Sequence, residues 1–319
     1  MSVVVPAEPT RQDVADTPSP IAPAGRAWLV SPWFDALFVA NVCWPLLLLP
    51  GLLGGFHAHA GVQFWQIYFI TTPHRWITLL LVFGDRERFV ERRGIFLTIA
   101  AGVVLTTLLI RATAGTLLCL LTIDYIWNAW HFAAQHHGIF RIYGRLAGRS
   151  SGDAVRKILM RGFLCYVPMR VAGWSWAYPA LDTVLQQLDW VAALAPLMLL
   201  GSAVSGFRWG DRGGLLYLAS VSTLFLSLLF AVHFARPDLV LLLATASALF
   251  HAIEYLAVVS WSVTSPQRHA ERRGALGWLT PRWWLALATF AVVLGLTDWM
   301  FKHQRMQFWI AINVVVAFL

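Results

Sequence analysis

The sequence predicts an all-α, polytopic bundle of about ten transmembrane helices with a cytoplasmic N-terminus. Of its 319 residues, 58% are hydrophobic and only 13% are charged, whereas a soluble domain has about 25% charged residues. The chain also contains a series of apolar runs close to the roughly 20 residues that a helix needs to cross a bilayer. Its basic residues are concentrated in alternate loops, which is typical of multi-pass membrane proteins.

The chain divides into a polar leader and one transmembrane domain. Residues 1–27 are rich in Pro, Ala, Thr and Asp, which predicts a disordered leader. Residues 28–319 are predicted to form a single transmembrane helical domain. Its predicted spans lie near 33–54, 62–83, 95–112, 115–140, 157–180, 190–206, 215–234, 238–263 and 282–299, with a last run from about 307 to the end.

Three of these runs depart from a typical span. The run at 157–180 is the weakest because it contains Arg161, Pro168 and Arg170, and the run at 190–206 is short. The last run reaches Leu319 without the polar or charged flank that usually ends a span. This pattern favours a last span that continues beyond the sequence in hand.

The distribution of Lys and Arg among the loops predicts the orientation of the helices in the membrane. Loops 84–94, 141–161, 207–213 and 265–282 hold 16 Lys and Arg residues, whereas the alternate loops hold four. Because short cytoplasmic loops are enriched in Lys and Arg, we expect the basic loops to face the cytoplasm. The net charge of +8 is therefore a topology signal, and we expect no nucleic-acid partner.

Ionisable side chains recur at one predicted depth in three spans. His74 lies about ten residues from the cytoplasmic end of the second span, and His131 lies about nine from that end of the fourth. In the eighth span, His251 and Glu254 lie about twelve and nine residues from the same end. At 1.5 Å per residue, all four groups reach a layer near the middle of the bilayer. Such residues are costly in lipid and usually functional, so we expect them to converge.

Three imidazoles and one carboxylate predict a metal site. Imidazole is a common ligand of iron, copper and zinc, and this set suits a redox-active iron with open positions. We therefore expect His74, His131, His251 and Glu254 to bind non-haem iron as a mononuclear or dinuclear centre. The i, i+3 spacing of His251 and Glu254 lets both address one centre, as Glu-x-x-His pairs do. Glu254 is alternatively a catalytic base, and Tyr255 beside it is a second catalytic candidate.

Polar residues on the same helical faces are predicted to support the imidazole rings. Asp124, Asn128 and Gln135 share a stripe with His131, and residues of this kind hold the tautomer of a metal-bound histidine. Arg75, which follows His74, is predicted to join this set or to serve as a counter-ion for a nearby carboxylate.

His137 is a further candidate metal ligand. It and His136 follow His131 by six and five residues, so both point away from its stripe on an ideal helix. They would reach the metal only if the helix unwinds before Gly138. The alternative is a pair of interfacial histidines at the end of the helix.

Three stretches carry a resemblance: PHRWITLLLVFGDRERF at 73–89, WNAWHFAAQHHGIFRIYGR at 127–145 and FHAIEYLAVVSW at 250–261. Together they resemble a group of bacterial polytopic proteins that pair an early P-x-H-type motif with W-H-x-x-x-Q-x-x-G and a later H-x-x-x-Y. Chains of that group often carry a further His-Tyr and Asp-Gly motif on the last span, and this sequence reaches Leu319 just where it would begin.

In architecture the chain is also similar to Brp/Blh-type carotene dioxygenases, whose scattered histidines hold one iron in an all-helical membrane protein. It is more distantly similar to membrane fatty-acid desaturases and alkane hydroxylases. The clustered HxxxH and HxxHH boxes of those enzymes are not matched by the H-x4-HH spacing at 131–137.

The residues and the resemblance together predict a membrane-embedded non-haem iron oxidoreductase of the oxygenase or desaturase type. Its expected substrate is a lipophilic molecule from the bilayer, such as a carotenoid or a fatty acyl lipid, and an electron donor protein is an expected partner. Three alternatives stay open: a transporter or a proton or cation relay, a haem-binding subunit with paired axial histidines, and an accessory subunit of a membrane complex.

Overall fold

A computed structural model of the chain describes residues 26–49, 53, 66–84, 86–149, 154–175, 179–265, 278–304 and 315–316. Throughout these ranges the regular structure is helical, and they contain no β-strand. This confirms the all-α class that the composition predicts. The predicted leader over 1–27 and the predicted last span from 307 onward lie almost wholly outside the described residues.

Nine α-helices are found in the described ranges. In chain order they are α1 Pro32–Phe34, α2 Thr72–Gly84, α3 Arg86–Ala114, α4 Leu118–Leu146, α5 Ala154–Ser175, α6 Pro179–Ser205, α7 Arg212–His233, α8 Pro237–Thr264 and α9 Trp283–Gln304. Short π-helical or 3₁₀ turns accompany them at Asp35–Val39, Trp44–Leu48, Gln66–Thr71, Trp209–Asp211 and Thr280–Arg282.

Within the described ranges, five helices are long and apolar enough to cross a membrane. They run over Phe89–Ala114, Asp182–Ser205, Arg212–His233, Pro237–Thr264 and Thr280–Met300. Their length and composition confirm the membrane-helix character expected from the sequence. The other predicted spans in the described ranges fall on the turns around Pro32–Leu48, on α2 and the turn before it, on α4 and on α5. The count of ten spans stays a prediction.

The sixth span is longer than the sequence indicates. An apolar run over 190–206 predicts a short helix, but α6 begins at Pro179 and continues to Ser205. The extra turns carry polar residues, which is why the apolar run leaves them out. One of them, Asp189, is fully buried, and both of its carboxylate oxygens accept bonds from Arg170 Nε at 3.1 and 3.2 Å. Tyr166 and His233 also contact this carboxylate, at 2.7 and 3.0 Å.

The core lies between α7 and α8, the two most deeply buried helices. Successive helices from α4 to α8 pack on each other, and α9 packs on α2 and on the turn at Gln66–Thr71. The turns at Asp35–Val39 and Trp44–Leu48 cover the face of α8. This arrangement brings the start of α2 and the middle of α4 and α8 to one place.

Buried Asp35 anchors the N-terminal segment to this core. Its carboxylate accepts hydrogen bonds from the backbone N–H groups of Leu29 and Val30 at 2.6 and 3.0 Å, and from the Tyr143 hydroxyl at 2.8 Å. The start of α7 accommodates the segment because Gly213 has no side chain. A Cβ at Gly213 would lie 2.2 Å from the Ala27 carbonyl oxygen and 2.7 Å from the Tyr143 ring.

Candidate metal centre

Three histidines from three helices converge inside the bundle. His74 comes from α2, His131 from α4 and His251 from α8, and one ring nitrogen of each lies within 4.8 Å of the others. The ring centroids of His74 and His251 are 4.9 Å apart, those of His131 and His251 are 5.2 Å apart, and those of His74 and His131 are 6.3 Å apart. Nitrogen atoms at these separations can bind one metal ion.

Several of these nitrogen atoms are buried without a hydrogen-bond partner. His74 and His251 are 7% and 1% exposed. Nε2 of His74 and both ring nitrogens of His251 have no hydrogen-bond partner among the described residues. A buried polar atom left unpaired is costly, and most such atoms in folded proteins are satisfied. A bound metal ion would supply the missing interaction.

A second group shares His251 and adds His136 and Glu254, with one donor atom of each within 4.8 Å of the others. Glu254 is fully buried and accepts hydrogen bonds from Gln135 Nε2 at 2.7 Å and from the Tyr217 hydroxyl at 2.9 Å. His136 Nδ1 lies 3.0 Å from the same carboxylate, and His251 Nδ1 lies 3.8 Å from it. Both carboxylate oxygens of Glu254 are therefore engaged within the protein.

Aromatic packing fixes the orientation of the imidazole rings. Phe132 stacks on His251 with ring centroids 3.7 Å apart and an interplanar angle of 17°. Tyr255 contacts His74 edge-on at 4.6 Å, and its hydroxyl lies 2.9 Å from Thr78 Oγ1. Tyr255 therefore lies beside the histidines, where the sequence predicts it.

The predicted supporting residues fall into two groups. Gln135 contacts the site directly, since its Nε2 donates to Glu254 and, at 3.0 Å, to the backbone carbonyl of His251. Asp124 instead lies 4.0 Å from Arg75 Nη1 and hydrogen-bonds to Asn128. Asp124 is seven residues from His131, or about 10 Å along the helix axis. Arg75 nevertheless lies close enough to His74, His131 and His251 to act on them electrostatically, so this ion pair borders the histidine group.

The structure places His137 outside both groups. The helix α4 continues without a break from Leu118 to Leu146, so it does not unwind before Gly138. His137 consequently faces away from His131 and lines a different cleft, together with Arg141 and Arg156. The expectation that local unwinding brings His137 to the metal is not met, because the helical hydrogen bonds are kept through this stretch.

Two residues of the site are absent from the set predicted from sequence. His136 was set aside because of its helical phase, and Tyr217 lies on α7, a helix from which no site residue was predicted. In the sequence, the feature that points to His136 is its position directly after Gln135, which is predicted to face the site. In the structure, Glu254 contacts both side chains. Nothing in the sequence distinguishes Tyr217 from the other tyrosines.

Comparisons with protein-family models, with curated proteins and with solved structures give no match to this chain.

Proposed function

We propose that this chain is a membrane-embedded oxidoreductase that holds non-haem iron on His74, His131 and His251. One observation carries the proposal: three imidazoles from separate helices point their nitrogen atoms at one point inside an apolar bundle. The three helices are far apart in the chain, so their meeting is not a result of local sequence. The unpartnered ring nitrogen atoms of buried His74 and His251, with the partly exposed His131 beside them, are what a metal site requires.

The set of donor atoms supports a reactive metal rather than a structural one. Three protein ligands leave open coordination positions, whereas structural zinc sites are closed by four. Histidine nitrogen with a nearby carboxylate suits iron that binds dioxygen at an open position. Bound iron would supply the redox chemistry. In this proposal Glu254 orients His136, whose Nδ1 lies 3.0 Å from the carboxylate. Glu254 also lies 3.8 Å from Nδ1 of the metal-binding His251, which makes it the nearest candidate base.

The presence of an apolar cleft supports the proposal that the substrate is lipophilic. It lies between α2 and α9 and has about 1200 Å³ of space between its walls, open mouth included. Its wall includes buried Ile77, which follows His74 by about one turn and packs in one cluster with Tyr255. Because Tyr255 contacts His74, a hydrophobic chain in this cleft would lie next to the metal. A carotenoid or a fatty acyl lipid has this chemistry.

The proposal includes a topology and a partner. The split of 16 basic residues against four supports a cytoplasmic N-terminus and about ten spans in a bacterial inner membrane. A monooxygenase or a desaturase needs electrons from outside to reduce dioxygen, whereas a dioxygenase that places both oxygen atoms in its product needs none. For the first two reactions we expect a donor protein to bind on the side of the basic loops.

The proposed iron is tested by measuring the metal content of detergent-purified protein with elemental mass spectrometry, together with an optical absorption spectrum. We expect about one or two irons per chain, the number that one or two such ligand sets bind, and no Soret band. His251→Ala should remove the iron. The matched control is His233→Ala, because His233 binds Asp189 at the end of α7 and is not in either group. Equal iron in both variants would contradict the assignment.

A proton relay is the second function that a specific observation favours. His136, Glu254 and Tyr217 form one buried hydrogen-bonded set, with His136 Nδ1 2.8 Å from the Tyr217 hydroxyl. Carboxylate and histidine chains of this kind occur along proton pathways in pumps and transporters. This function predicts metal-free protein and, in liposomes, a proton flux that Glu254→Gln abolishes.

A further inference from the structure

The apolar cleft between α2 and α9 has a positive charge at its mouth. Arg282 is the single charged residue among the described residues that line the cleft. It lies in the turn before α9 and belongs to one of the basic loops. Its side chain is exposed, and its guanidinium has no ion pair or hydrogen bond to any residue that the structure describes. The cleft therefore combines a long apolar wall with one cation that no described carboxylate neutralises.

Contacts between α2 and α9 show that these two helices are antiparallel. The Thr72 hydroxyl, at the start of α2, donates to Asp298 near the end of α9 at 2.5 Å. Ile77, further along α2, packs in one cluster with Trp283 at the start of α9. Depth below the basic loops can therefore be counted along α9 and transferred to α2.

The depth of the cleft is close to that of the proposed metal. Its described lining runs along α9 as far as Leu294, about 18 Å from Arg282 at 1.5 Å per residue. Thr72 is level with Asp298, and His74 lies two residues nearer the basic loops, so His74 is about 21 Å from Arg282. The acyl chains of one leaflet extend over about 15 Å, half of the hydrocarbon core. A chain that starts at Arg282 would therefore bring its far end near the level of His74.

The charges at the two ends of the cleft differ in sign. Four residues beyond Leu294, α9 carries Asp298, which is 3% exposed and accepts the bond from Thr72. A carboxylate repels an anionic head, whereas the guanidinium of Arg282 attracts one and can give it two parallel hydrogen bonds. These charges favour one orientation of an amphipathic molecule, with its anionic head at the basic loops.

We propose that this cleft binds a single acyl chain with an anionic head, as in a fatty acid, with the head at Arg282 and the tail toward His74. This inference rests on the proposed function and narrows its substrate. A carotenoid hydrocarbon has no charged end and gains nothing from Arg282. The carbon atoms presented to the metal lie in the half of the chain that is remote from the head.

The binding test uses the purified full-length chain in detergent after removal of metal, so that it does not depend on bound iron. Radiolabelled palmitate is displaced by unlabelled palmitate, by its methyl ester or by phosphatidylglycerol. Palmitate and its methyl ester share one chain and differ in charge, and phosphatidylglycerol represents a lipid of the surrounding bilayer. The head group is tested with Arg282→Gln. The matched control is Arg145→Gln, because Arg145 is an exposed arginine that lines a different cleft.

A second pair of variants tests the position of the chain. Ala286 lines the cleft, whereas Ala288 on the same helix is exposed and is not among the described lining residues. Ala286→Trp fills the cleft, and Ala288→Trp adds the same side chain to another face. Orientation is measured with stearic acid that carries a nitroxide near its carboxylate or near its methyl end. The nitroxide quenches nearby tryptophan, and the difference between the wild type and Trp278→Phe isolates Trp278 at the mouth of the cleft.

We expect palmitate to displace the label at a lower concentration than its methyl ester or phosphatidylglycerol. Arg282→Gln should weaken palmitate binding by about two- to fivefold, the factor for an exposed ion pair, and should leave the methyl ester unchanged. Arg145→Gln should change neither. Ala286→Trp should abolish saturable palmitate binding, and Ala288→Trp should keep it. The nitroxide near the carboxylate should quench Trp278 more than the one near the methyl end.

The proposal is overturned if the methyl ester or phosphatidylglycerol binds as tightly as palmitate, or if the two tryptophan variants bind palmitate equally. Stronger quenching of Trp278 from the methyl end would also overturn it. A single elution peak for each variant excludes misfolding. Iron content is measured in separate samples. A chain that binds palmitate but no iron contradicts the proposed function, and a chain that binds iron but no palmitate contradicts this inference alone.

Discussion

Replacement of Glu254 is expected to loosen the buried network beside the histidines. Glu254→Ala removes the carboxylate that accepts hydrogen bonds from Gln135 Nε2 and from the Tyr217 hydroxyl. Hydrogen bonds between membrane helices contribute about 0.6 kcal/mol on average and up to about 1.7 kcal/mol. The loss of two therefore lowers the free energy of unfolding by about 1–3 kcal/mol. Glu254→Gln keeps one carbonyl acceptor, so its loss should be about half as large.

The assay is reversible unfolding of the purified protein in mixed micelles as the fraction of denaturing detergent rises. Tyr217→Phe removes the hydroxyl that donates to Glu254 and also contacts His136. A double-mutant cycle with this change therefore measures the coupling between Glu254 and the hydroxyl, because the loss of the His136 contact is common to both arms of the cycle. We expect a coupling free energy of about 0.6–1.7 kcal/mol. A Glu254→Ala protein as stable as the wild type, or a coupling near zero, would show that the carboxylate does not link these helices.

Two further changes test the packing around the site. Asp189→Ala leaves Arg170, which is 2% exposed, with the partly exposed Asp182, 2.9 Å from its Nη1, as its remaining carboxylate partner among the described residues. It should lower the unfolding free energy by about 3 kcal/mol, the lower end of the range for a broken buried ion pair, and wild-type stability in the same assay would contradict this. Gly213→Ala places a Cβ 2.2 Å from the Ala27 carbonyl, so it should cost about 1–3 kcal/mol and expose the N-terminal segment to protease. Gly102→Ala, with no neighbouring atom within 4 Å, is the neutral control, and equal protease sensitivity in both variants would contradict the contact.

The meeting of His74, His131 and His251 could be predicted because it follows from two regular quantities. A membrane fixes where a span begins, and a helix rises by a constant 1.5 Å per residue. Counting residues from the basic loops therefore predicts depth, and the structure brings the three rings together. Helical periodicity likewise predicts that Gln135 faces the site, and Gln135 does contact Glu254.

Contacts set by packing could not be predicted in this way. His136 lies about 140° from His131 around an ideal helix, so its phase argues against a shared site. His136 reaches Glu254 because α8 packs against α4 at the edge between Gln135 and His136, so that the carboxylate of Glu254 contacts both side chains. The length of α6 was missed for a similar reason, since a polar residue such as Asp189 is compatible with a span only when a partner neutralises it.

Iron X-ray absorption on the purified, iron-loaded chain tests the central claim most directly. We predict a first coordination shell dominated by nitrogen at about 2.0–2.2 Å, with the multiple-scattering pattern of about three imidazoles, as expected for a histidine-ligated metal. The His251→Ala variant should lose this signal, and His233→Ala should keep it. A chain that takes up no iron under anaerobic loading, or one whose imidazole signal is the same in His251→Ala, would contradict the claim.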